Sequence, residues 1–175
     1  TVHRVTLQTQ MRCEGGQSYL EYLDRIFQVS QDDSLMVENY DFKIWDNPNS
    51  MIENIRNKDL SLSLCRVVAG YSWRWQSKGC ETIAQAIREG LEDIELDGRK
   101  YVWNMSNQEW ILREGAVNEI GCVHTTQGYD LNYVAVIFGH EIDYDDESGS
   151  IVIDRSKFFD SKVKDGVDDE TLKQY

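Results

Sequence analysis

One proline, three histidines and four scattered cysteines among 175 residues exclude several architectures at once. A single proline and 12 glycines rule out collagen-like and proline-rich chains. Cys13, Cys65, Cys80 and Cys122 form no CxxC pair, whereas a structural zinc site needs clustered thiolates. A disulfide framework does not suit a chain of this size, so the thiols are expected free in a reducing, cytoplasmic setting. No run of about 18 apolar residues is present, so no membrane span is expected. Basic charge is short too: 18 Lys and Arg face 31 Asp and Glu, a formal net charge of −13. Autonomous nucleic-acid binders normally carry a basic surface or stripe, so the net charge argues against tight nucleic-acid binding by this chain; it does not exclude a local basic groove.

What is present suffices for a core. The chain is 41% hydrophobic and 11% aromatic, which excludes disorder throughout. Its length fits one domain of ordinary size. It begins at Thr1, shows no basic-then-apolar leader and stops in a helix-like stretch. We therefore expect a piece of a longer protein.

Ser18 and Glu21 form an S-x-x-E capping box, followed by Leu20, Leu23, Ile26 and Phe27 at helical spacing, which predicts a helix over Ser18–Val29. Residues 30–39 read as a loop and Tyr40–Trp45 as a strand. Asn47-Pro48 opens a second helix with Met51, Ile52 and Ile55 as its apolar stripe. Leu62–Tyr71 reads as a strand, and residues 80–91 as a third helix with Ile83, Ile87 and Leu91 on one face. Asp97-Gly98 signals a hairpin insertion near 92–104. Ile120–His124 is a short apolar strand. Tyr133–Phe138 is a near-continuous apolar run of the kind buried on both faces of a parallel sheet. Ile142–Tyr144 and Ile151–Ile153 suggest a second hairpin. The stretch 141–175 carries 11 acidic and 5 basic residues and reads as a solvated acidic face or tail. The alternation of strands and helices points to an α/β domain with a mainly parallel sheet and helices on both faces.

The sequence holds neither a phosphate-cradling GxxxxGK[ST] loop nor a GxGxxG turn. Asp145-Asp146-Glu147-Ser148 has the look of an acidic magnesium motif but sits in an expected hairpin turn, where a solvated turn is the preferred reading. Cys122 and His124 share a strand face. They read either as a catalytic dyad or, preferably, as a core thiol beside a polar strand end. Trp73 and Trp75, near Arg66, Arg74 and Lys78, make a patch on which bases could stack. The preferred alternative splits the two tryptophans between core and surface. The most informative segment runs from Gly121 to Gly139. A strand ends in hydroxyl and amide side chains, Gly128 allows a tight turn, Asp130 follows, and a second apolar strand begins. In open α/β sheets ligands sit beyond the carboxyl ends of strands, which would turn His124, Thr125, Thr126, Gln127 and Asp130 toward a ligand. A polar, well-capped loop accounts for the same residues equally well.

His124-Thr-Thr-Gln-Gly-Tyr-Asp130 resembles motif V of superfamily I helicases, with aspartate in place of the commoner glutamate. Leu7-Gln-Thr-Gln-Met-Arg12-Cys13 resembles motif IV, near the start of the second RecA-like domain. With the Arg66–Trp75 strand region and Asp154-Arg-Ser-Lys157, the chain is similar to a bacterial helicase-like ATPase family of unknown function related to the Schlafen group 3 DNA/RNA helicase domain. The resemblance implies a three-layer RecA-like domain of the P-loop NTPase type over residues 1–175, lacking the P-loop itself. It implies ATP and Mg2+ in the parent protein, held mainly by a first RecA-like domain. Arg12 would act catalytically on the γ-phosphate; a permanently charged, planar guanidinium suits that task. Gln127, Gly128 and Asp130 would lie near the nucleotide. His124, Thr125 and Thr126, with Trp73 and Trp75, would lie near single-stranded DNA or RNA. The fragment alone would be inactive.

A non-enzymatic acidic interaction module with helicase ancestry is the main alternative. A small nuclease ranks last: only Asp41, Asp46 and Asp130 offer carboxylates, and no PD-(x)-ExK spacing is present.

Overall fold

The structure is a computed structural model that describes residues 15–27, 40–105 and 109–172. The chain divides into two compact units, one comprising 1–44 with 145–151 and the other 45–144 with 152–175.

In the first unit, helix α1 spans Gly16–Ile26. The expected capping box is not formed, because the helix starts two residues earlier. Ser18 lies inside the first turn, and its hydroxyl donates to the Gly15 carbonyl at 2.8 Å. Tyr19 packs on Tyr40 with ring centroids 4.5 Å apart, and Tyr22 meets Phe42 edge to face at 5.1 Å. The expected strand at Tyr40–Trp45 is absent: residues 40–45 have no strand pairing, and 41–44 are exposed. Its alternation of aromatic residues serves ring packing instead. The remainder of the Ser18–Val29 helix and the 30–39 loop fall largely outside the described residues.

The second unit is an α/β layer. Strand β1 (Cys65–Ala69) pairs in parallel with both β4 (Ile120–Cys122) and β5 (Tyr133–Ile137), giving the order β4-β1-β5. Helix α2 (Pro48–Leu62) covers one face. The Asn47 side chain accepts from the Ser50 N–H at 2.8 Å, and Pro48 occupies the first turn, where a missing N–H breaks no bond. Met51, Ile52 and Ile55 pack with Cys65, Val67 and Ala69 of β1. On the opposite face Val68 meets Trp110, Ile111 and Ala116. Among the described residues of this unit, two 3-10 turns, Trp110–Leu112 and Ala116–Asn118, pack on that face, where a symmetric three-layer domain would place a long helix. The Trp110 ring lies so close over Gly121 that no β-carbon fits there.

Two sequence expectations change on this frame. Helix α3 spans Ile83–Glu89, capped by Thr82 and by Gly90 in the left-handed conformation. Its buried residue is Ala86, while Ile87 is 55% exposed, so the apolar stripe read from spacing is rotated away from the core. Strand β5 is the outer strand of this sheet among the described residues, and it is not buried on both faces. Ala135 and Ile137 are buried, but Val134 and Val136 are each 44% exposed.

The hairpin signal at Asp97-Gly98 is realised. Strands β2 (Ile94–Leu96) and β3 (Arg99–Tyr101) pair antiparallel across a turn with φ of 46° and 76°, the doubly positive geometry that Asp-Gly favours. Strands β6 (Ile142–Asp145) and β7 (Ser150–Ile153) make the second hairpin. Asp145 caps its own turn, accepting from the Glu147 and Ser148 N–H groups at 3.2 Å each, so the acidic run there is a turn device.

The first hairpin is tied to the loop after β1 through one buried carboxylate. Asp93 accepts from the N–H groups of Gln76 at 2.6 Å, Ser77 at 2.8 Å and Trp103 at 2.8 Å, and from the Ser77 hydroxyl at 2.6 Å. Replacing Asp93 with alanine orphans these buried donors, each of which costs about 1–3 kcal/mol when left unmet. The Asp93→Ala variant should lose at least about 3 kcal/mol in urea unfolding on that scale, and a loss within error of zero would refute the anchoring role.

Candidate functional site

Because β1, β4 and β5 are parallel, their carboxyl ends open on the same edge. The segments leaving that edge are 70–78 after β1, 123–130 after β4 and 138–141 after β5. In open α/β sheets this is where ligands bind.

The segment after β4 turns at once into a 3-10 helix, Val123–Thr126. The Thr125 hydroxyl donates to the Cys122 carbonyl at 2.6 Å and the Thr126 hydroxyl to the Val123 carbonyl at 2.8 Å. Both threonines thus close the turn by their own side chains, which explains why a strand ends in hydroxyl residues. Gly128 takes φ of 88°, and the Tyr129 N–H closes back on the Thr126 carbonyl at 3.2 Å. Gln127, Gly128 and Asp130 are exposed at the rim.

His124 is the connected member of this loop. Its Nε2 lies 3.5 Å from a carboxylate oxygen of Asp160, and its ring lies 5.8 Å from that of Tyr71. Tyr71 in turn accepts the Phe159 N–H on its carbonyl at 2.7 Å. The ends of β1 and β4 are therefore joined to the segment 155–160. Asp154 starts that segment, accepting from the Ser156 N–H at 3.0 Å and from the Lys157 ammonium at 3.0 Å. Hydrogen bonds from Ser156 first, then from Lys157, lower its pKa to about 2.

Cys122 does not form a dyad with His124. The thiol is buried and hydrogen-bonded to the Tyr71 hydroxyl, and burial pushes its pKa up. A nucleophilic cysteine needs the opposite shift. The Tyr71 hydroxyl is likewise raised by burial, so both groups stay protonated at neutral pH.

Trp73 and Trp75 reach the carboxyl edge but are half-buried against the core. Trp73 meets His140 at 6.1 Å, and Trp75 stands edge-on to Trp103 at 6.0 Å. Arg66 is no surface cation either. It is buried, its guanidinium donating to the Ile111 carbonyl at 3.1 Å and to Asp59 at 2.9 Å. Arg12 and the motif IV segment Leu7–Cys13 lie outside the described residues. Among the described residues no group of three or more His, Cys, Asp or Glu side chains is gathered to hold a metal ion. No helix among them is long and apolar enough to cross a membrane.

The sequence reading missed Asp160, Phe159 and Asp93. Asp160 and Phe159 were folded into a stretch judged by its total acidity, although Lys157-Phe-Phe-Asp-Ser-Lys162 is locally mixed. Nothing in the spacing of Asp93 marks it as a hub, since its partners are 10 and 16–17 residues away.

The model of the Schlafen group 3 DNA/RNA helicase domain matches residues 1–174. The chain belongs to that family. It is also 28% identical over 176 residues to an uncharacterized protein of the yeast Saccharomyces cerevisiae, covering 90% of this chain and 37% of that protein. The chain thus spans little more than a third of its relative's length. A yeast relative lends no support to the expected bacterial origin. No solved structure matches the chain.

The core-thiol reading is directly testable. Alkylation by iodoacetamide at pH 8, mapped by mass spectrometry, should modify native Cys122 far more slowly than unfolded Cys122. Equal rates would restore a reactive thiol to this edge.

Proposed function

We propose that the chain is the C-terminal half of a helicase-like ATPase. It would complete the ATP site of a first RecA-like domain in its parent protein and couple that site to a DNA or RNA strand. The observation that carries this reading is the exposed polar loop 124–130 at the carboxyl edge of a parallel sheet, in a chain of the Schlafen group 3 helicase-domain family.

The residues present suit a nucleotide edge. Gln127 offers an amide and Asp130 a carboxylate, both exposed, and the positive φ of Gly128 keeps the backbone between them free of a side chain. Arg12 would supply a fixed positive charge where negative charge develops on the phosphoryl oxygens. ATP with Mg2+ supplies the phosphoanhydride bond, held mainly by the first domain. This chain's part is to bind, orient and transmit. His124 would transmit through Asp160 and Tyr71, because a displacement of the 124–130 loop pulls on the ends of two strands together. Alone, the chain would turn over no ATP.

The net charge of −13 favours a second reading, an acidic interaction module with helicase ancestry. ATP turnover by the full parent protein, with and without single-stranded nucleic acid, separates the two. The first reading expects Arg12→Ala, with folding intact, to lower kcat by about 10³-fold or more, as for other arginines of this role. Absence of wild-type turnover, or indifference to Arg12, would leave the interaction module as the better account.

A further inference from the structure

The chain is acidic as a whole, but one side of the carboxyl edge is not. Segments 71–78 and 154–164 together hold Arg74, Lys78, Arg155, Lys157, Lys162 and Lys164 against two acids, Asp154 and Asp160. They are brought side by side by the Phe159 N–H donating to the Tyr71 carbonyl at 2.7 Å. Three of these cations are engaged in building the segment. Arg155 donates to the Val167 carbonyl at 2.7 Å, Lys164 to the Phe158 carbonyl at 3.3 Å, and Lys157 pairs with Asp154 at 3.0 Å. Arg74, Lys78 and Lys162 are exposed.

Aromatic rings are interleaved with these cations. The Arg74 guanidinium lies 5.7 Å from the centroid of the Phe159 ring, and the Lys78 ammonium 5.4 Å from that of Trp75. Trp75 is committed to the core. Phe159 remains 39% exposed, with the Arg74 guanidinium beside its ring. An exposed ring next to a cation offers a face on which an unpaired base can stack. Stacking on an aromatic ring is tolerant of sequence, and neighbouring cations track the phosphates. Paired bases in a duplex offer no free face to stack.

We propose that Phe159 and Arg74 form a stacking platform for an unpaired nucleobase, with Lys78 and Lys162 holding the flanking phosphates of a single-stranded nucleic acid. This inference rests on the strand-coupling half of the function proposed above. It transfers the stacking role from Trp73 and Trp75 to Phe159. It also gives the platform a link to the motif V-like loop, because the next residue, Asp160, is the partner of His124.

The test is fluorescence anisotropy of a labelled 12-nucleotide oligo(dT), and of a 12-base-pair duplex, with the full parent protein and no nucleotide added. Phe159→Ala should weaken oligo(dT) binding about 5- to 100-fold, the range found for loss of one stacked base, and leave duplex binding nearly unchanged. Phe159→Trp should restore it. Lys162→Ala should lower the slope of log affinity against log salt by about 0.7, the loss of one phosphate contact on a single strand. A thermal melt of each variant separates binding from folding. Wild-type binding that is indifferent to Phe159→Ala overturns the platform and leaves the proposed function standing. Equal loss on oligo(dT) and duplex also overturns it, since stacking cannot explain that. No wild-type binding at low salt overturns both the platform and the strand-coupling role. Phe159-dependent binding in a protein whose ATP turnover ignores Arg12 would keep the platform and sink only the ATPase reading.

Discussion

The parallel pairing of β1 on both of its edges is the constraint from which the rest of the molecule follows. All five residues of Cys65–Ala69 are buried, and each edge is hydrogen-bonded to a neighbour running the same way. A strand so enclosed must be apolar or have its charges satisfied, hence Arg66 with its backbone and Asp59 partners. Since the three strands share a direction, their carboxyl ends share an edge. The residues that follow them, far apart in sequence, become neighbours without any further instruction.

That edge is held in shape by polar groups as well as by the packing of Tyr71, Trp73 and Trp75 on the core. Asp93 fastens the loop after β1 to the first hairpin, the two threonine hydroxyls close the turn after β4, and the Tyr71 carbonyl takes the Phe159 N–H. Buried hydrogen bonds of this kind fix a geometry more than they add net stability, because the same groups would bond to water in the unfolded chain. A fixed geometry is what a site needs. The opposite sign of charge at this edge and over the whole chain serves the same end. On the reading proposed above, a net charge of −13 would hold a polyanion off much of the surface, while the exposed Arg74, Lys78 and Lys162 would attract it.

Much of this was legible in the residues, for identifiable reasons. Asn47-Pro48 favours a helix start through local effects, the side-chain cap and the missing N–H, and α2 begins there. Asp97-Gly98 specifies a doubly positive turn by local sterics, and the hairpin is present. The loop 124–130 was visible through its polar side chains and Gly128. What local pattern did not carry was the environment. The run Tyr133–Phe138 looks buried on both faces, yet Val134 and Val136 are exposed, because what covers each face of the sheet is set by elements distant in sequence. Ile87 has the right spacing for a core stripe but lies beyond the reach of the core. Trp73 and Trp75 look like stacking surfaces from sequence, while their burial is decided by distant residues: His140 lies against Trp73 and Trp103 against Trp75. Phe159 was hidden for the opposite reason: averaging charge over 141–175 erased the basic, aromatic stretch inside an acidic segment.

The central claim is that the carboxyl edge of the β4-β1-β5 sheet is the working face. Hydrogen–deuterium exchange of the parent protein, with and without a nonhydrolysable ATP analogue and oligo(dT), tests it most directly. The account predicts slowed exchange in 71–78, 124–130 and 158–162 and around Arg12, with little change elsewhere in this chain. The contrary result is protection confined to the polar groove between α2 and the first hairpin, lined by Trp45, Asn49, Asn54, Asn57 and Arg99. That outcome would move the site to the groove beside α2 and contradict the reading of the edge.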